Sequence, residues 1–286
     1  MSMKHKNFAV FILTHGRADN IITLKTLNRL GYTGDIYYIV DNMDKQLDKY
    51  IENFGDNVLV FDKIEAMRNF DTMDNFGVMK SIVYARNQVQ IEAEALGLDY
   101  ALQLDDDYSS FMFRYPSQDG KKLLHSECKD LDKAFDIMID FLIESDADTV
   151  AFAQGGDFIG GIDGMWDDGI KRKAMNSFFT RMDRPFKFVG NINEDVNTYV
   201  SLGHKGKLFM TVTNMMLNQK QTQQNAGGMS GLYLESGTYL KSFYTVMIHP
   251  SGVKIGMMGD KHKRLHHSIN WNNTTPKIIN EKYRKE

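Results

Sequence analysis

The chain has 286 residues, 42% of them hydrophobic and 25% charged, with 4 prolines and a formal net charge of −3. This composition supports a full-sized core in one large domain, and the charge excludes a global basic field that would recruit nucleic acid. A lone cysteine, Cys128, excludes an internal disulfide and a multi-cysteine zinc site; with no signal-peptide pattern, it predicts a reducing cytoplasm.

In chain order, residues 7–13 (NFAVFIL) predict a buried strand, followed by the polar turn THGRADN. Thr14 or Asp19 is placed to cap the next helix, whose spacing comes from Ile22, Leu24, Leu27 and Leu30, with a stop at Gly31. Strands follow at 35–42 (DIYYIVDN) and 57–63 (NVLVFDK). Val78, Ile82, Ala85, Val89, Ala93 and Leu96 then recur every three or four residues, predicting a helix that stops at Gly97. It leads into the strand YALQL and three consecutive aspartates, Asp105, Asp106 and Asp107. Strands alternating with helices predict an α/β fold with a mostly parallel sheet, Rossmann-like and flanked by helices. Ligands of such sheets bind beyond the carboxyl ends of the strands, where THGR, VDN and LDDD all lie.

The second half is richer in loops. Residues 132–145 predict an amphipathic helix, and DTVAFAQ, PFKFVGN and KLFMTVT predict strands. INEDVNTYVSLG predicts a short helix capped by Asn193. The stretch 217–231 predicts a mobile loop whose glycines suit a lid, and the polar tail from His266 onward predicts a strap over the domain. With no linker and no repeat, residues 1–286 form one predicted domain: 1–110 as a ligand-binding half and 111–286 as the other. The apolar runs are too short to cross a bilayer.

Carboxylates crowded at the end of a buried strand repel one another, and a divalent cation would relieve them. In an extended chain Asp105 and Asp107 project from one face, giving two hard oxygen ligands suited to Mg²⁺ or Mn²⁺, while Asp106 faces the other way. Two alternatives stay open. One is a solvated acidic turn. The other is a metal-dependent phosphohydrolase or nucleotidyltransferase, of the kind in which the first of two aspartates attacks phosphorus. Residues 171–187 carry Lys171, Arg172, Lys173, Arg181, Arg184 and Lys187 against Asp183, interleaved with Phe178, Phe179, Phe186 and Phe188. That pattern fits either a phosphate-tracking, base-stacking surface or a solvated face over core phenylalanines. A second basic stretch, 254–267, includes Lys254, Lys261, Lys263 and Arg264.

Together, FILTHGRADN, IVDN, ARNQVQIEAEALGLDYALQLDDD and GNINEDVNTYVSLG resemble a GT-A-type glycosyltransferase. With QTQQNAGGMSGLYLESGTYLKSFYTVMIHPSGVKI, HHSINW and PKIIN, the chain is similar to the TET-associated glycosyltransferases of phages. The resemblance implies a GT-A-like fold with a loop-rich C-terminal acceptor region. It implies metal-dependent transfer of a hexosyl or N-acetylhexosaminyl group from a nucleotide sugar, a UDP-sugar, to a 5-hydroxymethylpyrimidine in phage DNA. Asp105 and Asp107 would hold the metal, with His267 as a third ligand. Thr14, Arg17, Asp41, Arg86 and Asp106 would bind the donor. Asp195 would be the general base of an inverting displacement, with Glu194 beside it as a positioning group.

Overall fold

The structure is a computed structural model describing residues 3–77, 79–164, 166, 170–219, 230–259 and 263–274, with backbone alone for residue 170 and residues 230–238. Residues 220–229 of the predicted mobile loop (217–231), Val78 and the tail beyond residue 274 lie outside the described residues; of that loop's flanks, residues 217–219 are strand and 230–231 helix.

In the first half, β1 (Phe8–Leu13), β2 (Asp35–Asp41), β3 (Val58–Phe61) and β4 (Tyr100–Asp105) pair in parallel in the order β3-β2-β1-β4. β1 is buried along its whole length and splits its side chains between two cores. Phe8, Val10 and Ile12 join one; Ala9, Phe11 and Leu13 join the other. This is the two-sided burial expected of a strand covered on both faces. Four helices connect these strands: α1 (Ile22–Arg29), α2 (Leu47–Phe54), α3 (Lys63–Asn69) and α4 (Val83–Ala95). Leu27 of α1 and Tyr50 of α2 pack into the first core, and Ala66 of α3 with Val83 and Val89 of α4 into the second.

The remaining elements are β5 (Tyr108–Pro116), β6 (Leu123–Glu127), α5 (Leu131–Glu144), β7 (Thr149–Ala153), β8 (Ile170–Lys171), β9 (Ser177–Arg181), α6 (Glu194–Gly203), β10 (Phe209–Gln219), α7 (Ser230–Ile248), β11 (Val253–Met258), β12 (Arg264–Ile269) and α8 (Trp271–Thr274). The sheet continues past β4 as β9-β7-β10-β5-β6, with β8 beside β10. β9 is antiparallel to both β4 and β7, and β5 and β6 are antiparallel extensions, so the second half of the sheet is mixed. β11 and β12 form a separate hairpin that packs on α7. Phe8, Phe111, Phe135, Phe152 and Phe179 meet edge-on or stacked in the first core. Each contributes about 1.5–3 kcal/mol by burial.

Several local expectations are corrected. α1 has no side-chain cap: Thr14 and Asp19 bond elsewhere. Residues 185–191 are not a strand, because the backbone of Phe188 is taken by the Asn87 amide, at 2.7 and 2.9 Å, instead of by a neighbouring strand. The strand of that region is β9, just upstream. α2, between strands expected to follow directly, α3, ahead of the expected helix, and α7 with its hairpin have no counterpart in the periodicity. Asn193 occupies the cap position of α6 but makes no cap bond; its amide donates to Lys241 O and Thr245 Oγ1, tying α6 to α7. Among the described residues no helix is long and apolar enough to cross a membrane.

Candidate active site

The carboxyl end of β4 meets the N-terminus of α6 around a buried guanidinium. Arg86, 1% exposed, projects from α4 and stacks over Phe178 of β9, 5.0 Å from the ring centre. Its Nε donates to Glu194 Oε1 at 2.9 Å and its Nη2 to Asp105 Oδ1 at 3.1 Å. The aspartate run and the Glu194–Asp195 pair, far apart in sequence, are therefore joined through one side chain. The loop before α6 packs closely on that helix at Gly190, whose φ is +93° and where a Cβ would come within 2.3 Å of Asn197 Nδ2.

The aspartates do not alternate as an extended strand would, because β4 ends at Asp105 and the next two residues turn. Asp105 faces Arg86. Burial pushes its pKa up to about 6 against the pull of Arg86, with Asp107 and Glu194 adding repulsion. Asp107 accepts from Gln219 Nε2 at 3.0 Å, and burial raises its pKa too. Asp106 is 6% exposed and accepts from Thr14 Oγ1 at 2.9 Å and from the Arg17 guanidinium. Thr14 in turn bonds the hydroxyl of buried Tyr50, which also accepts the Arg17 amide. Thr14 and Asp106 thus hold the loop after β1 against the one after β4, and of this group Arg17 is the part that reaches solvent, at 29% side-chain exposure.

Asp41 is 5% exposed, its oxygens engaged by His15, Lys63 and the Met43 amide. The exposed group at this end of β2 is His15, not Asp41. Glu194 and Asp195 open α6, where negative charge is favoured. Asp195 Oδ1 accepts the Val196 amide at 2.7 Å, and no other hydrogen bond to Asp195 occurs among the described residues. Burial and the neighbouring Glu194 raise its pKa.

His267 is not brought into a three-residue group with Asp105 and Asp107: among the described residues no cluster of three histidine, cysteine or acidic side chains forms a metal site. It lies on β12, in the hairpin that packs on α7, stacked on His266 with Nδ1 buried and unpartnered. The basic stretch 171–187 is not a base-stacking surface either. Phe178, Phe179, Phe186 and Phe188 are all core residues. Arg181 and Arg184 pair with Asp146, and Lys171 and Lys173 with Asp157.

Residues that the sequence alone left unassigned are Gln219, Tyr50, Lys63, Asp44 and His15. Of these, His15 had a signal, its place in the THGR turn; the others lie in segments without a motif.

The sequence profile of the TET-Associated Glycosyltransferase family matches residues 8–228. No curated protein matches the chain. Among solved structures, it is similar to glucosyl-3-phosphoglycerate synthase from Mycobacterium tuberculosis, crystallised with Mn²⁺, UDP and phosphoglyceric acid. The identity is 10%, over 92% of this chain and 86% of that one, with a TM-score of 0.43. It is also similar to a putative nucleotide-diphospho-sugar transferase from Desulfovibrio desulfuricans G20, at 9% identity over 82% and 96% of the two chains, TM-score 0.43. A third is S. aureus TarS, residues 1–349, at 14% identity over 73% and 59%, TM-score 0.39. The family profile spans most of the chain, including the aspartate run and the Glu194–Asp195 pair: the chain belongs to the TET-associated glycosyltransferase family and is a glycosyltransferase.

Proposed function

We propose that the chain transfers a sugar from a nucleotide sugar, a UDP-sugar, to the hydroxyl of a 5-hydroxymethylpyrimidine in phage DNA, by direct displacement with inversion. The observation that carries this reading is the Arg86 bridge, which sets the acids of β4 beside those that open α6. A displacement at a sugar carbon needs both: a site that neutralises the departing diphosphate and a carboxylate that takes the proton of the incoming hydroxyl.

Asp105 and Asp107 fit a divalent cation such as Mn²⁺ or Mg²⁺. They are two hard oxygen ligands whose burial makes each resist ionisation, in a site whose other positions water and phosphate would fill. When bound, the ion supplies Lewis-acid neutralisation of the diphosphate. The chain's own residues do the rest. Arg17, anchored by Asp106, reaches the donor from the loop after β1. Arg86 lies beneath the site and contacts the donor only through the acids it orients. Glu194, held by Arg86, positions the first turn of α6, and Asp195 Oδ2 takes the acceptor proton. The DNA acceptor is supported by the family resemblance; in 171–187 the phenylalanines are buried and Lys171, Lys173, Arg181 and Arg184 are paired, so that stretch adds no support to it.

The test incubates the protein with Mn²⁺, a panel of nucleotide sugars and DNA containing 5-hydroxymethylcytosine or 5-hydroxymethyluracil, then weighs the digested nucleosides. A sugar-mass gain that disappears with chelator and in Asp195→Asn, while Asp195→Asn still binds donor, is the expected result. Donor hydrolysis that depends on Asp107, without any gain on DNA, would discard the DNA acceptor. Loss of donor binding in Asp195→Asn would make Asp195 a structural residue.

A further inference from the structure

The second basic stretch, 254–267, has no part in the chemistry above, and it folds as the β11–β12 ribbon. Residues 239–274 carry Lys241, Lys254, Lys261, Lys263 and Arg264 against Asp260 alone, in a chain whose net charge is −3. Among the described residues Lys254, Lys263 and Arg264 make no ion pair; Arg264 Nη2 donates to Met258 Sδ at 3.7 Å. The first basic stretch differs, because Asp157 and Asp146 already hold Lys171, Lys173, Arg181 and Arg184.

We propose that the outer face of the β11–β12 ribbon binds the phosphate backbone of the DNA acceptor and lays the duplex beside the N-terminus of α6. This inference rests on the reading of DNA as the acceptor.

Two observations besides charge carry it. The first is the way the ribbon faces. Val253 opposes Ile269 and Ile255 opposes His267 on one side, where Val253 and His267 are buried and Ile269 packs on the second core. The alternate positions pair Lys254 with Ser268 and Met258 with Arg264, and of these Lys254, Ser268 and Arg264 are exposed. Lys254 lies about 13 Å along the ribbon from the Met258–Arg264 pair, at about 3.3 Å per residue. Cations spread along a track suit a polymer of phosphates better than a single diphosphate. The major groove of B-DNA also admits a two-stranded ribbon, and the 5-substituent of a pyrimidine projects into that groove.

The second is where the ribbon ends. α6 and α7 run side by side. Asn193 Nδ2, two residues before Asp195, donates to Lys241 O at 2.7 Å, and at the other end Ser201 Oγ meets His249 Nε2 at 2.6 Å. The chain then turns back, and Ser242 Oγ donates to Leu265 O at 2.9 Å. The Arg264 end of the ribbon therefore lies at the end of α7 that holds the first turn of α6, the turn that carries Asp195. A duplex on the ribbon presents its groove to that carboxylate.

The experiment measures binding of a short labelled duplex to the full chain by fluorescence anisotropy over a salt series, and binding of UDP with Mn²⁺ by calorimetry. Each phosphate contact adds about 0.9 to the salt slope, so three account for a fall of about 40-fold between about 50 and 200 mM salt. The triple variant Lys254→Ala, Lys263→Ala, Arg264→Ala should bind the duplex at least about tenfold more weakly at about 50 mM salt, with a slope smaller by about 2–3. It should bind UDP as wild type does. The double variant Lys121→Ala, Lys122→Ala, which removes exposed cations from the turn between β5 and β6, should stay within about threefold of wild type on the duplex. An unchanged duplex affinity in the ribbon variant, or an equal loss in the Lys121, Lys122 variant, would overturn the ribbon's role and leave DNA standing as the acceptor. Loss of UDP binding in the ribbon variant would also overturn it, by assigning these cations to the donor or to the fold. If wild type neither binds the duplex nor adds sugar to hydroxymethylated DNA, the DNA-acceptor reading itself fails, and this inference with it.

Discussion

Replacing Arg86 with methionine keeps most of the side-chain volume and removes the charge on which two buried acids depend. Arg86 is 1% exposed, Glu194 8%, and Asp105 has 15% of its side chain exposed, so water cannot take over the lost contacts. Two charge-assisted hydrogen bonds go, at about 1.5–3 kcal/mol each. Stranding a buried partner costs about 3–5 kcal/mol, which agrees with the sum of the two bonds. The denaturation entropy of about 2.1 cal/mol/K per residue gives, for 286 residues, about 0.6 kcal/mol/K. Arg86→Met should therefore lower Tm by about 5–8 °C. Differential scanning calorimetry with chelator present measures this without interference from bound metal. Combining Arg86→Met with Glu194→Gln should recover part of the loss, because one stranded charge is then gone. A fall of less than about 2 °C would refute the claim that Arg86 compensates buried carboxylates.

Asp195 must be ionised to accept a proton, and its pKa is raised by burial and by Glu194, so kcat/KM should climb with pH well above the ordinary aspartate value of 3.8. The stability sign is opposite. A carboxyl whose folded pKa is raised lends stability that is lost as pH rises through that value, so Asp195→Asn should melt higher than wild type at pH 8 while losing about 10²–10⁴ in transfer rate. Asp41 goes the other way. Burial alone would raise its pKa, but the hydrogen bonds from His15 and Lys63 outweigh it and hold it at about 2. Asp41→Asn should cost about 2 kcal/mol at pH 7, and the difference from wild type should fade as pH drops from 3.8 toward 2. Asp107→Ala should abolish any dependence of donor binding on divalent cation, as judged by titration with and without Mn²⁺; an unaltered dependence would remove Asp107 from the metal site.

Much of the first half was legible because its signals are local. An all-apolar strand such as FAVFIL is buried wherever it pairs, the spacing from Ile82 to Ala93 builds α4, and three acids after YALQL announce a strand end whatever lies beside it. The α/β class and the two acidic motifs follow from those segments alone. Partners do not, because they are chosen across the chain. Periodicity cannot tell that β9 inserts antiparallel between β4 and β7, or that Asn87 takes the backbone bonds that would have made 185–191 a strand. The phenylalanines of 178–188 look the same in sequence whether they stack on bases or fill a core, and the tertiary packing put them in the core. Asp41 and His15 divide along the same line. Both are polar residues at strand ends, and the approach of Lys63 and Asp44 decides which is locked inside and which faces the rim. Sequence determined which chemistry the chain carries. The fold decided which atoms of that chemistry remain free, because a hydrogen bond once made inside the protein is no longer available to a ligand.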